Sequence, residues 1–344
     1  MSLLFVVIVL AFLWKCRINL RSMNDDYLSI ENSTALRGIL SVLVVCYHLA
    51  QRTGDRSLFH IFVFFGFLPV SYFFFLSGYG LQKSFAKKAN YRGTILRKRI
   101  PSVALPYLFF TGLYCLLSWV EGDAYALSEV LLSFVNGGPV VTFSWYILCI
   151  LLIYLVYYIT TAFYRGNHDT ILILNLLFVA ALPFVFKKLG YGGYWYSTCI
   201  TYPLGIFWAI KEEKILPWIK KHYLPLLAAG LVASSVLFLS TMRFSSGRVI
   251  LWLYWPCCLL FVPTLLLVQM KVTFGNRLLT LLGNCSMEIY MFHGFFMSFY
   301  RGTRVYLEDP LIWCVAVLVS TGIGAYGMNS LFGAMRKKKT GKPA

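Results

Sequence analysis

Long apolar runs alternate with short polar connectors along the whole chain. The runs cover residues 2–15, 34–50, 58–82, 100–120, 141–163, 170–186, 193–210, 223–241, 248–270, 278–300 and 309–334. Most come close to the ~20 residues an α-helix needs to cross the hydrocarbon core of a bilayer. The pattern predicts an all-α fold: a polytopic integral membrane bundle of ten to eleven transmembrane helices, the first run being the short one. Pro106, Pro183, Pro203, Pro256 and Pro263 fall within runs, where neighbouring helices can satisfy the carbonyls they free. The expected organisation is an N-terminal membrane anchor helix over 1–20, one transmembrane domain over 30–335 and a basic cytoplasmic tail over 336–344.

Composition strengthens this reading. Of 344 residues, 59% are hydrophobic and 13% charged, against about 45–50% and 25% in soluble domains. Disordered, collagen-like, coiled-coil and disulfide-scaffold classes are excluded by the same figures. Lys and Arg number 31 against 13 Asp and Glu, for a net charge of +18. In a soluble chain that balance would point to nucleic acid. Here basic loops flanking membrane spans explain it, so the partner expected is the lipid bilayer and not nucleic acid. Dense cations lie in the loop from Lys83 to Arg99, in the loop from Lys211 to Lys221, and in the tail at Arg336–Lys339. Placing all three inside puts the acidic Glu121, Asp123 and Glu129 outside. The expected location is the cell membrane, multi-pass, with the C-terminus cytoplasmic. The N-terminus is then outside with eleven spans and inside with ten. The nine cysteines form no C-x-x-C pair and read as small buried hydrophobes, and no metal site is expected.

The informative residues are those that a bilayer disfavours, because ionisable groups within spans mark functional sites by default. Glu288 is the only acidic residue in the middle of a run, and His48 and His293 are the two histidines inside apolar segments. Arg37 and His48 are eleven residues apart, about three helical turns, roughly 16 Å, on nearly the same face. With the topology above, His48, His293, Trp145 and Tyr146 share an outer level. Arg37, Ser77, Gly78, Arg97, Lys98 and Arg99 share an inner one, where clustered cations suit a phosphate-bearing ligand. Each has a plainer reading beside it: Arg37 and Arg97–Arg99 as topology signals, Trp145 and Tyr146 as interfacial aromatics, Ser77-Gly78 as a small-residue helix contact. His293 and Glu288 also admit a reading as a structural pair.

Four segments carry a family resemblance. Arg37 to His48 forms an Arg-x10-His pattern, and Phe73-Phe74-Phe75-Leu76-Ser77-Gly78-Tyr79 follows it. Then come Arg97-Lys98-Arg99-Ile100-Pro101 and, late in the chain, Ser286-Met287-Glu288-Ile289-Tyr290-Met291-Phe292-His293. In this order they resemble the acyltransferase 3 family of membrane O-acyltransferases, over about residues 30–335. The resemblance implies transfer of an acyl group, acetyl above all, from cytoplasmic acyl-CoA to a hydroxyl of a carbohydrate, a lipid-linked sugar or another cell-envelope acceptor. It implies His48 as the catalytic residue, with Arg37 as its partner in donor binding or structure. On this basis Arg97, Lys98, Arg99, Arg37, Ser77 and Gly78 would serve the donor, while Glu288, His293 and Tyr290 would orient His48 or the acceptor. Trp145, Tyr146 and Tyr290 would contact the acceptor. Many relatives carry an extra hydrolase domain for the step outside the membrane, so a separate extracytoplasmic partner is expected. Two rival functions stand beside this one. A transporter of a small polar metabolite would use the same intramembrane His and Glu residues, and a non-catalytic scaffold would need none of them.

Overall fold

The computed structural model describes residues 1–54, 57–88, 90–138, 140–244 and 250–340, with backbone alone for 335–340. Residues 248 and 249 of the ninth apolar run and 341–344 of the basic tail lie outside the described residues. The chain is 79% helical and all-α. The helices are α1 (Ser2–Leu13), α2 (Ile30–Thr53), α3 (Phe67–Lys87), the single turn α4 (Tyr91–Thr94), α5 (Ile100–Glu121), α6 (Leu127–Asn136) and α7 (Trp145–Thr160). After them come α8 (His168–Lys188), α9 (Thr201–Lys221), α10 (Tyr223–Arg243), α11 (Ile250–Gln269), α12 (Arg277–Asn284), α13 (Ser286–Phe299) and α14 (Pro310–Thr340). A 3-10 segment (Leu58–Phe64) precedes α3, and a π-turn (Ile95–Arg99) joins α4 to α5. Strands β1 (Cys16–Ile18) and β2 (Val272–Phe274) pair antiparallel, Cys16 opposite Phe274.

Among the described residues, seven helices are long and apolar enough to cross a membrane. The number is eight if Leu58–Phe64 and α3, bent by 47°, count as one span. This is fewer than the expected ten to eleven, and four runs account for the difference. Run 2–15 yields only the 12 residues of α1, about 18 Å of helix. Run 193–210 becomes the first half of α9, whose second half carries Lys211, Glu212, Glu213 and Lys214. Run 278–300 breaks at Cys285, between α12 and α13. Run 58–82 bends where the 3-10 segment meets α3. Apolar content is a property of the run, but spanning needs an unbroken helix as well.

The chain forms two compact units, and the division falls inside α5 after Leu108. The first holds 1–66, 109–144 and 269–344; the second holds 67–108 and 145–268. In the first, α2 starts at Ser29, whose Oγ accepts from the amide of Asn32 at 3.2 Å. It ends at Gly54 in the left-handed conformation, the usual device at a helix C-terminus. Along α2 the backbones of two helices touch: a Cβ on Gly38 would collide with the Leu279 carbonyl oxygen, and one on Gly283 with that of Thr34. Membrane helices lack a hydrophobic drive toward one another, so such close small-residue crossings carry their association.

The second unit uses the same device between α3 and α9, where Gly78 faces the carbonyl of Tyr202 and Gly205 that of Phe75. Several of its buried polar groups are hydrogen-bonded between helices. Tyr202 Oη donates to Asn175 Oδ1 at 2.8 Å, and Asn175 Nδ2 donates to Thr160 Oγ1 at 2.9 Å. The charged half of α9 is neutralised by ion pairs of Glu212 with Lys83 and of Lys211 with Asp169. By contrast α10 exposes Leu224, Val232, Val236 and Leu239, a surface suited to lipid.

Candidate active site

In the first unit, α2 and α13 bring His48 and His293 together, although 244 residues separate them in sequence. Their rings are nearly parallel, at 22°, with centroids 5.2 Å apart. His293 is fully buried and His48 half-buried. A third ring completes the group. Phe143, in the segment after α6, lies on His48 at 3.6 Å and 21°, and faces His293 at 5.1 Å and 9°. The edge of Tyr47 meets His48 at 4.7 Å.

Hydrogen bonding here is sparse. Nδ1 of His48 and both ring nitrogens of His293 are buried with no well-formed hydrogen bond among the described residues; the polar neighbours are the Gln51 side chain for His48 and the backbone of Ile289 and Tyr290 for His293. Most buried polar side-chain atoms in proteins have a partner, so imidazole nitrogens without one call for an explanation. A histidine serving only to fill space would be a poor choice at this position. Imidazole nitrogens held out of water and left unsatisfied are ready to take or give a proton to a bound substrate.

The segment bearing Phe143 is fastened to α13 at several points. Phe143 itself has φ +68°, a left-handed conformation costing a non-glycine residue about 1–2 kcal/mol. Its carbonyl accepts a hydrogen bond from Tyr290 Oη. One turn further on, a Cβ at Gly294 would meet Tyr114 Oη at 2.6 Å and Thr142 Cβ at 3.1 Å. Tyr114 Oη in turn donates to the Met291 carbonyl at 3.1 Å. The guanidinium of Arg52, one turn after His48 on α2, lies 5.7 Å from the centre of the Phe143 ring.

Arg37 and Glu288 occupy other levels of the same helices. Arg37 is three turns before His48, half-buried, and its Nη2 donates to Thr34 Oγ1 at 2.7 Å. Glu288 is buried in the first turn of α13 and accepts from Asn329 Nδ2 at 3.3 Å. It precedes His293 by five residues, about 7.5 Å along the axis. Tyr290 joins the histidine site through Phe143 and through its ring, 5.7 Å from His293.

The remaining sequence candidates lie in the second unit. Gly78 is occupied by the crossing of α3 and α9, and Ser77 Oγ donates to the Phe73 carbonyl at 3.0 Å. Arg97, Lys98 and Arg99 are exposed on the π-turn, with Arg99 Nε donating to Tyr91 Oη at 3.0 Å. Tyr91 is also a wall of a cavity of about 330 Å³, lined with Phe85, Lys88, Arg92, Tyr164 and His168. Trp145 belongs to an aromatic cluster with Tyr194 at 5.6 Å and Trp195 at 6.4 Å. Tyr146 packs its ring against Phe74.

The family model of an acyltransferase domain, the acyltransferase 3 family, matches residues 30–328, nearly the whole chain. The chain belongs to that family. No curated protein and no solved structure gave a match. Membership makes this protein an enzyme that transfers acyl groups other than aminoacyl groups. It gives no support to the transporter reading. In this acyltransferase, sequence reading passed over Phe143, Tyr114, Thr142 and Arg52. No local pattern signals a phenylalanine in a left-handed conformation, and an aromatic residue in a hydrophobic chain is unremarkable. Arg52 did carry a signal: it is a cation one turn from His48 on the same helix.

Proposed function

We propose that the protein moves an acyl group, acetyl in the first instance, from cytoplasmic acyl-CoA to a hydroxyl of a carbohydrate, lipid-linked sugar or other cell-envelope acceptor. The observation that carries this reading is the stacked pair of imidazoles, one half-buried and one fully buried, that α2 and α13 bring together within one unit of the matched domain. His48 is the reacting group. Nδ1 being buried, Nε2 is the nitrogen assigned to the chemistry. As general base it takes the acceptor's hydroxyl proton while the oxygen attacks the thioester carbonyl. The carbon–sulfur bond then breaks and the thiolate leaves as free CoA after protonation. A second route passes through an acyl-histidine: Nε2 attacks the thioester carbonyl, the carbon–sulfur bond breaks and CoA leaves, and the acceptor hydroxyl then attacks the acyl carbon, displacing the imidazole, which keeps the hydroxyl's proton.

The donor's phosphates are assigned to the second unit. Arg97, Lys98 and Arg99 are exposed cations, and the adjoining cavity adds Lys88 and Arg92 beside Tyr91, Tyr164 and Phe85. Cations with aromatic faces suit a phosphorylated nucleotide. The aromatic group around Trp145 has the composition of a sugar-stacking surface and is assigned to the acceptor together with Tyr146 and Tyr290. Arg37, three turns before His48 on α2, is assigned to the donor as well. The topology assigned is multi-pass in the cell membrane, with the C-terminus cytoplasmic. An extracytoplasmic partner receives or presents the acceptor.

Membrane vesicles supplied with radiolabelled acetyl-CoA test the reading. The expected result is label in a glycan fraction with release of CoA. His48→Ala, inserted at normal levels, is expected to lose about 10²–10⁴-fold of the rate, the usual worth of a positioned general base. Label transfer at the normal rate in that variant would overturn the assignment.

A further inference from the structure

We propose that Phe143 is a positioning residue that holds the His48 ring by stacking, in the place usually taken by a hydrogen-bonded carboxylate. The inference deepens the reading of His48 as the reacting histidine and rests on it. Catalytic histidines are commonly oriented by a buried acid or carbonyl bonded to the nitrogen that does not react. His48 lacks that arrangement: its Nδ1 is buried and has no well-formed hydrogen bond among the described residues. The polar side chain beside the ring is the neutral Gln51 rather than an acid, and the face of the ring is covered by Phe143, flat against it at 3.6 Å, with the Tyr47 edge at 4.7 Å.

Three features indicate that Phe143 is held there for a purpose. Its backbone is in the left-handed region at φ +68°, where a bulky side chain persists only if its surroundings impose it. The surroundings do: Tyr290 Oη donates to its carbonyl, and the bare Cα of Gly294 lets Thr142 approach α13. Arg52 lies over the same ring, so a cation–π contact adds to the stack. Strain, carbonyl anchor and cation converge on one ring, and that ring covers one face of His48. Stacking fixes the plane of the imidazole but leaves its tautomer free. A histidine that must carry a proton in one step and release it in the next gains from that freedom.

The test uses full-length protein in nanodiscs with labelled acetyl-CoA. One measurement is kcat and donor KM. The other is the rate at which diethyl pyrocarbonate modifies His48, read by peptide mass spectrometry and independent of turnover. Phe143→Leu is expected to lower kcat about tenfold to a hundredfold, the cost of misplacing a reacting group by about 1 Å. Donor KM should stay within about twofold, and His48 modification should speed up several-fold as the ring is uncovered. Phe143→Tyr, which keeps the stack, should restore most of kcat and the slow modification. If Phe143→Leu does not fold, Tyr290→Phe replaces it, with a smaller fall in kcat and a smaller rise in modification. Unchanged kcat and unchanged modification in a folded variant would overturn the proposal. Should His48→Ala acylate normally, the catalytic assignment falls. Modification kinetics in the Phe143 variants would still report the stack, so the two failures are distinguishable.

Discussion

His168 in the second unit and the His48–His293 pair in the first are surrounded by aromatic rings, yet their hydrogen bonding is opposite. His168 Nδ1 pairs with Gln82 Nε2 at 2.9 Å, and its Nε2 lies 3.4 Å from Tyr164 Oη. Gln82 is itself satisfied by Tyr157 Oη at 2.8 Å. Every polar atom of that chain is used within the protein, so His168 is a structural crosspiece between α3 and the start of α8. In the first unit, His48 Nδ1 and both nitrogens of His293 have no well-formed hydrogen bond among the described residues, and their polar neighbours are Gln51 and the backbone of Ile289 and Tyr290. The comparison separates a histidine with hydrogen bonds at both ring nitrogens from the two that the proposed function assigns to the chemistry. Burial and aromatic company do not separate them; the state of the ring nitrogens does.

This contrast is most sharply broken at the histidines themselves. Loss of His48 should cost the most, as given above. His293→Ala should lower kcat by about 10–10²-fold, within the range for groups that assist proton transfer, and is checked in the same vesicle assay. His168→Ala should instead leave kcat close to normal, with any effect confined to donor KM because His168 also lines the cavity, and a large loss of kcat there would erase the distinction. The glycine crossings come next. Gly283→Leu drives a side chain into the Thr34 carbonyl and should destabilise the first unit by about 1–3 kcal/mol or more, seen as a lower thermal unfolding midpoint in detergent. The double change Lys88→Ala and Arg92→Ala, which removes two cations from the cavity, should raise donor KM about fivefold to tenfold at unchanged kcat. Its effect should shrink as salt is raised. The smallest effect is expected for Gln82→Leu, at about 0.5–2 kcal/mol of stability with no change in kcat.

The candidate site was partly legible in the sequence. His48 and His293 stood out because hydrophobic segments seldom contain a histidine, and the four ordered motifs pointed to the acyltransferase 3 family, whose model matches 30–328. Phe143 could not be read, since its role depends on a backbone angle and on Tyr290, 147 residues away. Gly78 read equally as a ligand contact and a helix contact, and only the position of the Tyr202 carbonyl separates the two. The cavity escaped notice because its walls come from two stretches, Phe85–Arg92 and Tyr164–His168, neither of which carries a motif.

The sequence by itself determined the all-α membrane class, because transfer free energy depends on composition summed over a run of residues. It determined the helix α2 and the phase of Arg37 and His48 along it, since both follow from local periodicity. Tertiary structure decided which runs form one unbroken helix long enough to span. Whether an apolar run is broken, bent or continued into charge depends on how each helix is packed and where its backbone groups are satisfied. It also decided which polar residues form a site. Proximity between α2, α13 and the Phe143 segment arises from close glycine crossings and one strained turn, which are long-range facts with no period in the chain.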